Sequence, residues 1–196
     1  MRVIAGKYRS QPLVSPKGRE TRPTSDRLRE TLFNVIAPKI QDAVFAYLFS
    51  GTGAVGIEAI SRGARRVYFA ENAKVPLESL RHNLDRLQIR DQAIVEPAGV
   101  IPLLRRLLQQ KISLDLIFVD PPYKDQLAYE TVLRFLAEHS ILHPDAIVVV
   151  EHSQRSCLPQ LDIQLQPYRR IEQGEAALTF FRCNTKGELH PDLDGD

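Results

Sequence analysis

From Ala43 to Cys183 short runs rich in β-branched and aromatic residues alternate with longer segments of helical periodicity, and few folds accept that order of elements. Parallel strands need a crossover of a dozen or more residues, so the alternation specifies a mostly parallel sheet with helices on both faces. Strand one is VFAYLF, followed by a helix over about residues 54–62 that Gly63 stops. Strand two is VYFAE, and the helix after it carries Leu77, Leu80, Leu84 and Leu87. AIVE is strand three, with a helix over 100–109. LDLIFVD is strand four, whose nearly continuous apolar run predicts burial on both faces. A helix near 129–138, strand five at AIVVVE, and two closing strands near 163–168 and 176–183 complete a seven-stranded α/β sheet with one antiparallel member.

Ahead of the sheet, RVIAGKYRSQPLV alternates around Gly6 as a short hairpin extension. Residues 1–21 read as a basic hairpin and linker, 22–184 as the main domain, and 185–196 as an acidic, disordered tail. TSDRLRETLFNVI predicts a helix with Leu28, Leu32, Val35 and Ile36 on its apolar face and with Arg27 and Arg29 off it.

At 196 residues and 43% hydrophobic, the chain suits one domain with a full core. No apolar run approaches the roughly 20 residues of a membrane span, and a cytoplasmic location is expected. Cys157 and Cys183 lack a metal-ligand spacing, so no metal is expected. The net charge of +2 conceals an uneven distribution. Arg2, Lys7, Arg9, Lys17, Arg19, Arg22, Arg27 and Arg29 crowd the first thirty residues against Glu20, Asp26 and Glu30, which suggests a polyanionic partner.

In open sheets of this kind ligands bind beyond the carboxyl ends of the strands. Strand one runs into Phe49-Ser50-Gly51-Thr52-Gly53-Ala54-Val55-Gly56, where missing side chains let backbone amides approach a ligand. Strand two ends in Glu71, about twenty residues beyond Gly51, where a carboxylate can accept the hydroxyls of a ribose. The pair predicts a nucleoside-containing cofactor. GTGAVG also fits the dinucleotide pattern, so a nicotinamide enzyme stays open at this point.

Strand four ends in Asp120-Pro121-Pro122-Tyr123. The prolines remove two backbone donors and stiffen the chain with its carbonyls free to accept. An exocyclic amine on a base is a poor nucleophile, because its lone pair is conjugated with the ring. The Asp120 carboxylate and Pro121 carbonyl can accept its hydrogens and orient that lone pair, while Tyr123 stacks on the base. A methyl group can then transfer in line from a sulfonium. Glu151, ending strand five, has the look of a general base. Amine methylation needs none before transfer, so Glu151 stays outside the expected site.

RVIAGKYR, RPTSDRLRETLFN, LFSGTGAVGIEAISRGA, FVDPPY and GEAALTFFR stand in this order over residues 1–183, and there the chain resembles the RsmD-type family of small-subunit ribosomal RNA guanine-N2 methyltransferases. The resemblance implies a Rossmann-like class I methyltransferase fold and S-adenosylmethionine as donor. It implies N2 of a guanine in 16S rRNA as acceptor, within the small ribosomal subunit or an assembly intermediate; a monomer is expected because nothing in the sequence argues for more. By position it implies that Gly51, Thr52 and Gly53 line the cofactor, that Glu71 holds its ribose, and that Asp120, Pro121, Pro122 and Tyr123 grip the guanine. Phe49, Asn72, Gly99 and Val100 complete the cofactor site, with Thr24 covering it. Lys7, Arg9, Arg22, Arg27 and Arg29 are the expected phosphate contacts. Guanine also suits Asp120 chemically, since its N1–H and N2–H are neighbouring donors for an acceptor-only carboxylate. Two positions depart from the family's pattern: Tyr47 stands where it usually has aspartate, and Gly99 where related methyltransferases often carry Asp or Asn. The remaining alternatives are an amino methyltransferase acting on adenine or glutamine, and an RNA-binding assembly factor that has lost donor binding.

Overall fold

The computed structural model describes residues 1–15, 25–159 and 165–183. The elements are α1 (Asp26–Ile40), β1 (Val44–Leu48), α2 (Ala54–Ser61), β2 (Arg66–Ala70), α3 (Lys74–Arg86), β3 (Ala93–Glu96), α4 (Val100–Gln109), β4 (Leu114–Val119), α5 (Gln126–Glu138), β5 (Leu142–Ser153), β6 (Leu165–Gln173) and β7 (Ala176–Cys183). The strands form a seven-stranded sheet in the order β3-β2-β1-β4-β5-β7-β6. Among the described residues only β7 runs against its neighbours, as the closing pair of strands predicts.

Strand alternation divides the core between the two faces. Phe45 and Tyr47 of β1, Phe69 of β2, Phe118 of β4 and Val149 of β5 pack with α1, α2 and α3. Ala46, Leu48, Ile117, Val119, Val148 and Val150 face α4 and α5. The chain order reverses between β1 and β4, which leave the sheet in opposite directions and open a crevice at their carboxyl ends. Among the described residues no helix is long and apolar enough to cross a membrane.

Residues 1–15 pack into this same core. Arg2 bridges to Pro12, and Val3 and Leu13 are buried with α1 and α2. The Glu58 carboxylate in α2 accepts the backbone N–H groups of Ile4 at 2.7 Å and Ala5 at 2.9 Å. It also takes the Arg62 Nε–H at 2.8 Å and lies 3.8 Å from Arg29 Nε.

Arg29 corrects one expectation. It is 0% exposed, pairs with Asp26 at 2.9 Å and donates to the Arg2 carbonyl, so it is unavailable to RNA phosphate. Helical geometry gives the reason: the buried Leu28, Leu32, Phe33 and Ile36 define an arc whose middle lies where Arg29 falls. Burial pushes its guanidinium below the ordinary arginine value, opposed by the charges of Glu58 and Asp26. Arg27, Lys7 and Arg9 are exposed. Arg22, Thr24, the linker around them and the acidic tail lie outside the described residues.

Candidate functional site

Where β1 leaves the sheet, Phe49 (φ 62°), Gly51 (φ 52°) and Gly53 (φ 82°) all adopt the left-handed conformation. The chain turns tightly, closed by the Gly53 N–H donating to the Ser50 carbonyl at 2.8 Å. For Phe49 this backbone costs of order 1–3 kcal/mol, strain of the kind that collects at ligand sites. A Cβ on Gly53 would lie 2.3 Å from Leu80 Cδ1, so a side chain there would force the buried Leu80 side chain to shift, besides straining the positive φ. One on Gly51 would meet nothing within 4 Å, so that side of the loop is open. Beneath the loop, the Asn83 side chain donates to the Thr52 carbonyl at 3.0 Å and bonds both the N–H and the carbonyl of Val14.

Glu71 follows β2 and turns its carboxylate toward this loop. Gly51 N–H and Ala73 N–H each donate to it at 2.8 Å, one to each oxygen. A carboxylate has about four acceptor positions, so two remain for ribose hydroxyls. Asn72 comes next, and its side-chain amide lies 3.5 Å from where a Cβ of Gly99 would be. The ends of β2 and β3 thus bring together Glu71, Asn72, Gly99 and Val100. Gly99 has φ 97°, a conformation that side-chained residues rarely adopt. The loop after β3 is therefore built for glycine, and an Asp or Asn placed there would be strained. The open glycine loop, the carboxylate tied to it and the Asn72–Gly99 corner fit a nucleoside with an extended polar chain.

Asp120 stands beside this cradle, because its N–H still donates to the Leu48 carbonyl at 3.2 Å and keeps β4 in register with the start of the glycine loop. The Tyr47 hydroxyl lies 3.5 Å from Asp120 Oδ2, with its ring against Phe118 and Phe69. After Asp120 come Pro121, which is buried, Pro122, which is exposed, and Tyr123, which is half-buried. Asp125 then caps α5 through Ala128 N–H at 3.0 Å.

Two contacts tie this turn to the end of β5. The Tyr123 hydroxyl donates to Glu151 Oε1 at 3.0 Å. The buried Tyr129 hydroxyl lies 3.1 Å from the Glu151 carbonyl and 3.4 Å from that of Pro121. Its single proton favours the closer carbonyl, which leaves the Pro121 oxygen able to accept from a ligand. Burial raises the Tyr47 hydroxyl well above the ordinary tyrosine value, reinforced by the negative charges of Asp120 and Glu151, and the same causes raise Tyr129. Both phenols stay protonated donors at neutral pH. Sequence reasoning missed Tyr129, and it weighed Glu151 only as a general base and left it out of the site. Glu151 was within its reach, since it is an acid ending an apolar strand just as Asp120 and Glu71 are.

His152 follows Glu151 and points to the other face. Its Nδ1 lies 2.9 Å from the Ser153 carbonyl and its Nε2 lies 2.8 Å from Thr179 Oγ1. A carbonyl only accepts, so Nδ1 carries the proton and the neutral ring accepts the Thr179 hydroxyl at Nε2. Burial lowers its pKa, aided by the charge of Arg170 and opposed by the Ser153 carbonyl and Glu172. An unfolded histidine titrates near about 6.5, so the stability owed to the neutral ring is complete above that pH and lost as pH falls toward the lower folded value. The urea midpoint is expected to drop between about pH 7.5 and about pH 5.5, and His152→Asn to flatten that drop. Equal drops in both proteins would show that the ring does not gain its proton on unfolding. A cavity of about 630 Å³ lies on this face, lined by His152, Arg170 and Thr179 among others, and none of the expected site residues reaches it.

Residues 1–182 match the family described as Conserved hypothetical protein 95. The chain belongs to this family. Its relatives include a protein of Escherichia coli strain K12 named "Ribosomal RNA small subunit methyltransferase D", 32% identical over 192 residues that make up 98% of this chain and 94% of that one. A hypothetical protein from Thermus thermophilus has been solved with TM-score 0.78 and 27% identity, over 93% of this chain and 99% of that one. More distantly, a methyltransferase-type structure solved in complex with SAH shares the fold at TM-score 0.64 and 14% identity, over 80% of this chain and 48% of that one. The RsmD-type resemblance and the Rossmann-like class I methyltransferase fold it implied are both borne out.

Proposed function

We propose that this chain transfers a methyl group from S-adenosylmethionine to the exocyclic N2 of a guanine in 16S rRNA. The observation that carries the reading is the meeting, at one crevice, of the Glu71-tied glycine loop and the Asp120-to-Tyr123 turn, held adjacent by the Asp120–Leu48 hydrogen bond. The names of the relatives support ribosomal RNA of the small subunit as the substrate class.

S-adenosylmethionine supplies an electrophilic methyl on a sulfonium. Glu71 would hold the ribose with its remaining acceptor positions, Asn72, Gly99 and Val100 would flank the base, and Phe49, Gly51, Thr52 and Gly53 would line the path toward the sulfonium. Asp120 and the Pro121 carbonyl would accept hydrogens of the target amine, turning its lone pair toward the methyl, while Pro122 keeps the turn rigid and Tyr123 covers the base. Alkylation makes that nitrogen acidic, and Asp120 lies within reach of the proton it sheds. Water is not needed as a reactant, so a half-buried crevice suits the step.

The test is methyl transfer from labelled S-adenosylmethionine to unmodified small subunits and to their extracted RNA, followed by digestion to nucleosides. N2-methylguanosine is the expected product. N6-methyladenosine would move the acceptor to adenine, and the absence of both label and donor binding would mark an assembly factor instead.

Lys7, Arg9 and Arg27 are the exposed cations proposed to meet RNA phosphate. Reversing all three to glutamate is expected to weaken RNA binding and to reduce the slope of log affinity against log salt by about 1 for each lost contact, with donor affinity unchanged. Filter binding across a salt series measures this. An unaltered slope would remove these residues from the interface.

A further inference from the structure

We infer that Glu151 is a positioning residue for the methyl-transfer site, acting through Tyr123; the inference rests on the function proposed above. β4 and β5 pair in parallel with Val119 opposite Val150, so the next residue of each strand, Asp120 and Glu151, emerges at the same level of the crevice. Glu151 is 5% exposed, and a carboxylate kept that far from water needs strong donors around it. One donor is the Tyr123 hydroxyl, at 3.0 Å. A hydrogen bond to an ionised acceptor is stronger than one between neutral groups, and this one is anchored at both ends. The Glu151 backbone is fixed by its ladder to β7 and by the Tyr129 hydroxyl, which also approaches Pro121.

The consequence for Tyr123 is geometric. Stacking alone asks only for an aromatic ring, and phenylalanine would serve. A ring whose far end is tied to a buried carboxylate on the neighbouring strand is held in one orientation relative to Asp120 before any base arrives. That preorganisation acts on the alignment of the amine with the methyl donor, where a displacement of about 1 Å can cost on the order of a hundredfold in rate. The donor's own cradle lies around Glu71 and the glycine loop, away from the Glu151–Tyr123 bond, so donor affinity should not depend on it.

The experiment is a double-mutant cycle in single-turnover methylation of small subunits, using Glu151→Ala, Tyr123→Phe and the double variant, with Glu151→Gln as the conservative replacement. Glu151→Ala and Tyr123→Phe should each lower the rate constant by about tenfold to a hundredfold. The double variant should be no slower than the worse single one, and Glu151→Gln, which keeps the accepting oxygen, should recover most of the alanine loss. Donor affinity by calorimetry should stay within about threefold throughout, which a general loss of structure would not permit. Additive losses would overturn the inference, as would a Tyr123→Phe variant with the unmodified rate or a glutamine variant as slow as alanine. Failure of the unmodified protein to methylate RNA would instead sink the proposed function, so the two failures are told apart.

Discussion

Asp120→Ala is expected to reduce methyl transfer to small-subunit RNA by about 10²–10³-fold while binding of S-adenosylmethionine stays within about threefold. The two halves of that expectation come from different parts of the crevice. Asp120 is held by its backbone bond to Leu48 and lies beside the Tyr47 hydroxyl, but the groups that fit the donor are gathered around Glu71 and Gly99. Removing the carboxylate deletes the acceptor that orients the amine and leaves the cradle standing. Asp120→Asn should be nearly as slow, because its amide would turn a donor toward the donors of guanine. Single-turnover rates with labelled donor, read beside calorimetric donor affinity, check both halves. A variant retaining a tenth of the rate or more would mean that another group receives the amine.

Glu58→Ala is expected to lower the unfolding free energy by about 3–5 kcal/mol, the usual cost of removing one partner from a buried ion pair. Glu58 is fully buried, and its loss would leave Arg29, itself inaccessible to water, without one of its two carboxylates and would strand the backbone N–H groups of Ile4 and Ala5. In a protein of this size each kcal/mol shifts the melting temperature by about 2–4 °C, so the midpoint should fall by roughly 6–20 °C. Urea unfolding measures the energy, and faster hydrogen exchange at Ile4 and Ala5 would localise it. A loss below about 1 kcal/mol would mean that water or Asp26 compensates. The effect should exceed that of cutting the exposed Arg134–Glu130 pair, since solvent-exposed ion pairs contribute little.

The elements of the sheet were legible because each reports itself locally. LDLIFVD reads as a buried strand from its own composition, and AIVE and the helix over 100–109 coincide with β3 and α4 as observed. Residues whose role depends on a distant partner were harder. Arg29 looked like a surface charge because arginine is almost never fully buried unless paired; Asp26 lies one turn away, but Glu58, the carboxylate buried with it, lies beyond the rest of the helix and a whole strand. Glu71 was found from its spacing to Gly51, but spacing could not reveal that both oxygens already hold backbone amides. Glu151 was set aside because its chemistry was judged from the reaction alone. Its contact with Tyr123 becomes visible only when β4 and β5 are placed side by side. The left-handed Phe49 leaves no mark in its residue type, since nothing about phenylalanine announces a positive φ.

The bond from Glu58 to the chain's first residues spans more than fifty positions, and a ribosome makes proteins from the other end of that bond. Ile4 and Ala5 leave the exit tunnel well before Glu58 has been joined to the chain, so at that stage their N–H groups have only water to bond. Closing so long a loop costs entropy that the buried carboxylate offsets only once α2 is wound. Lys7 and Arg9 therefore cannot take up their fixed positions before the second helix has been made and has left the tunnel, and the bond from Val14 to Asn83 waits for the third.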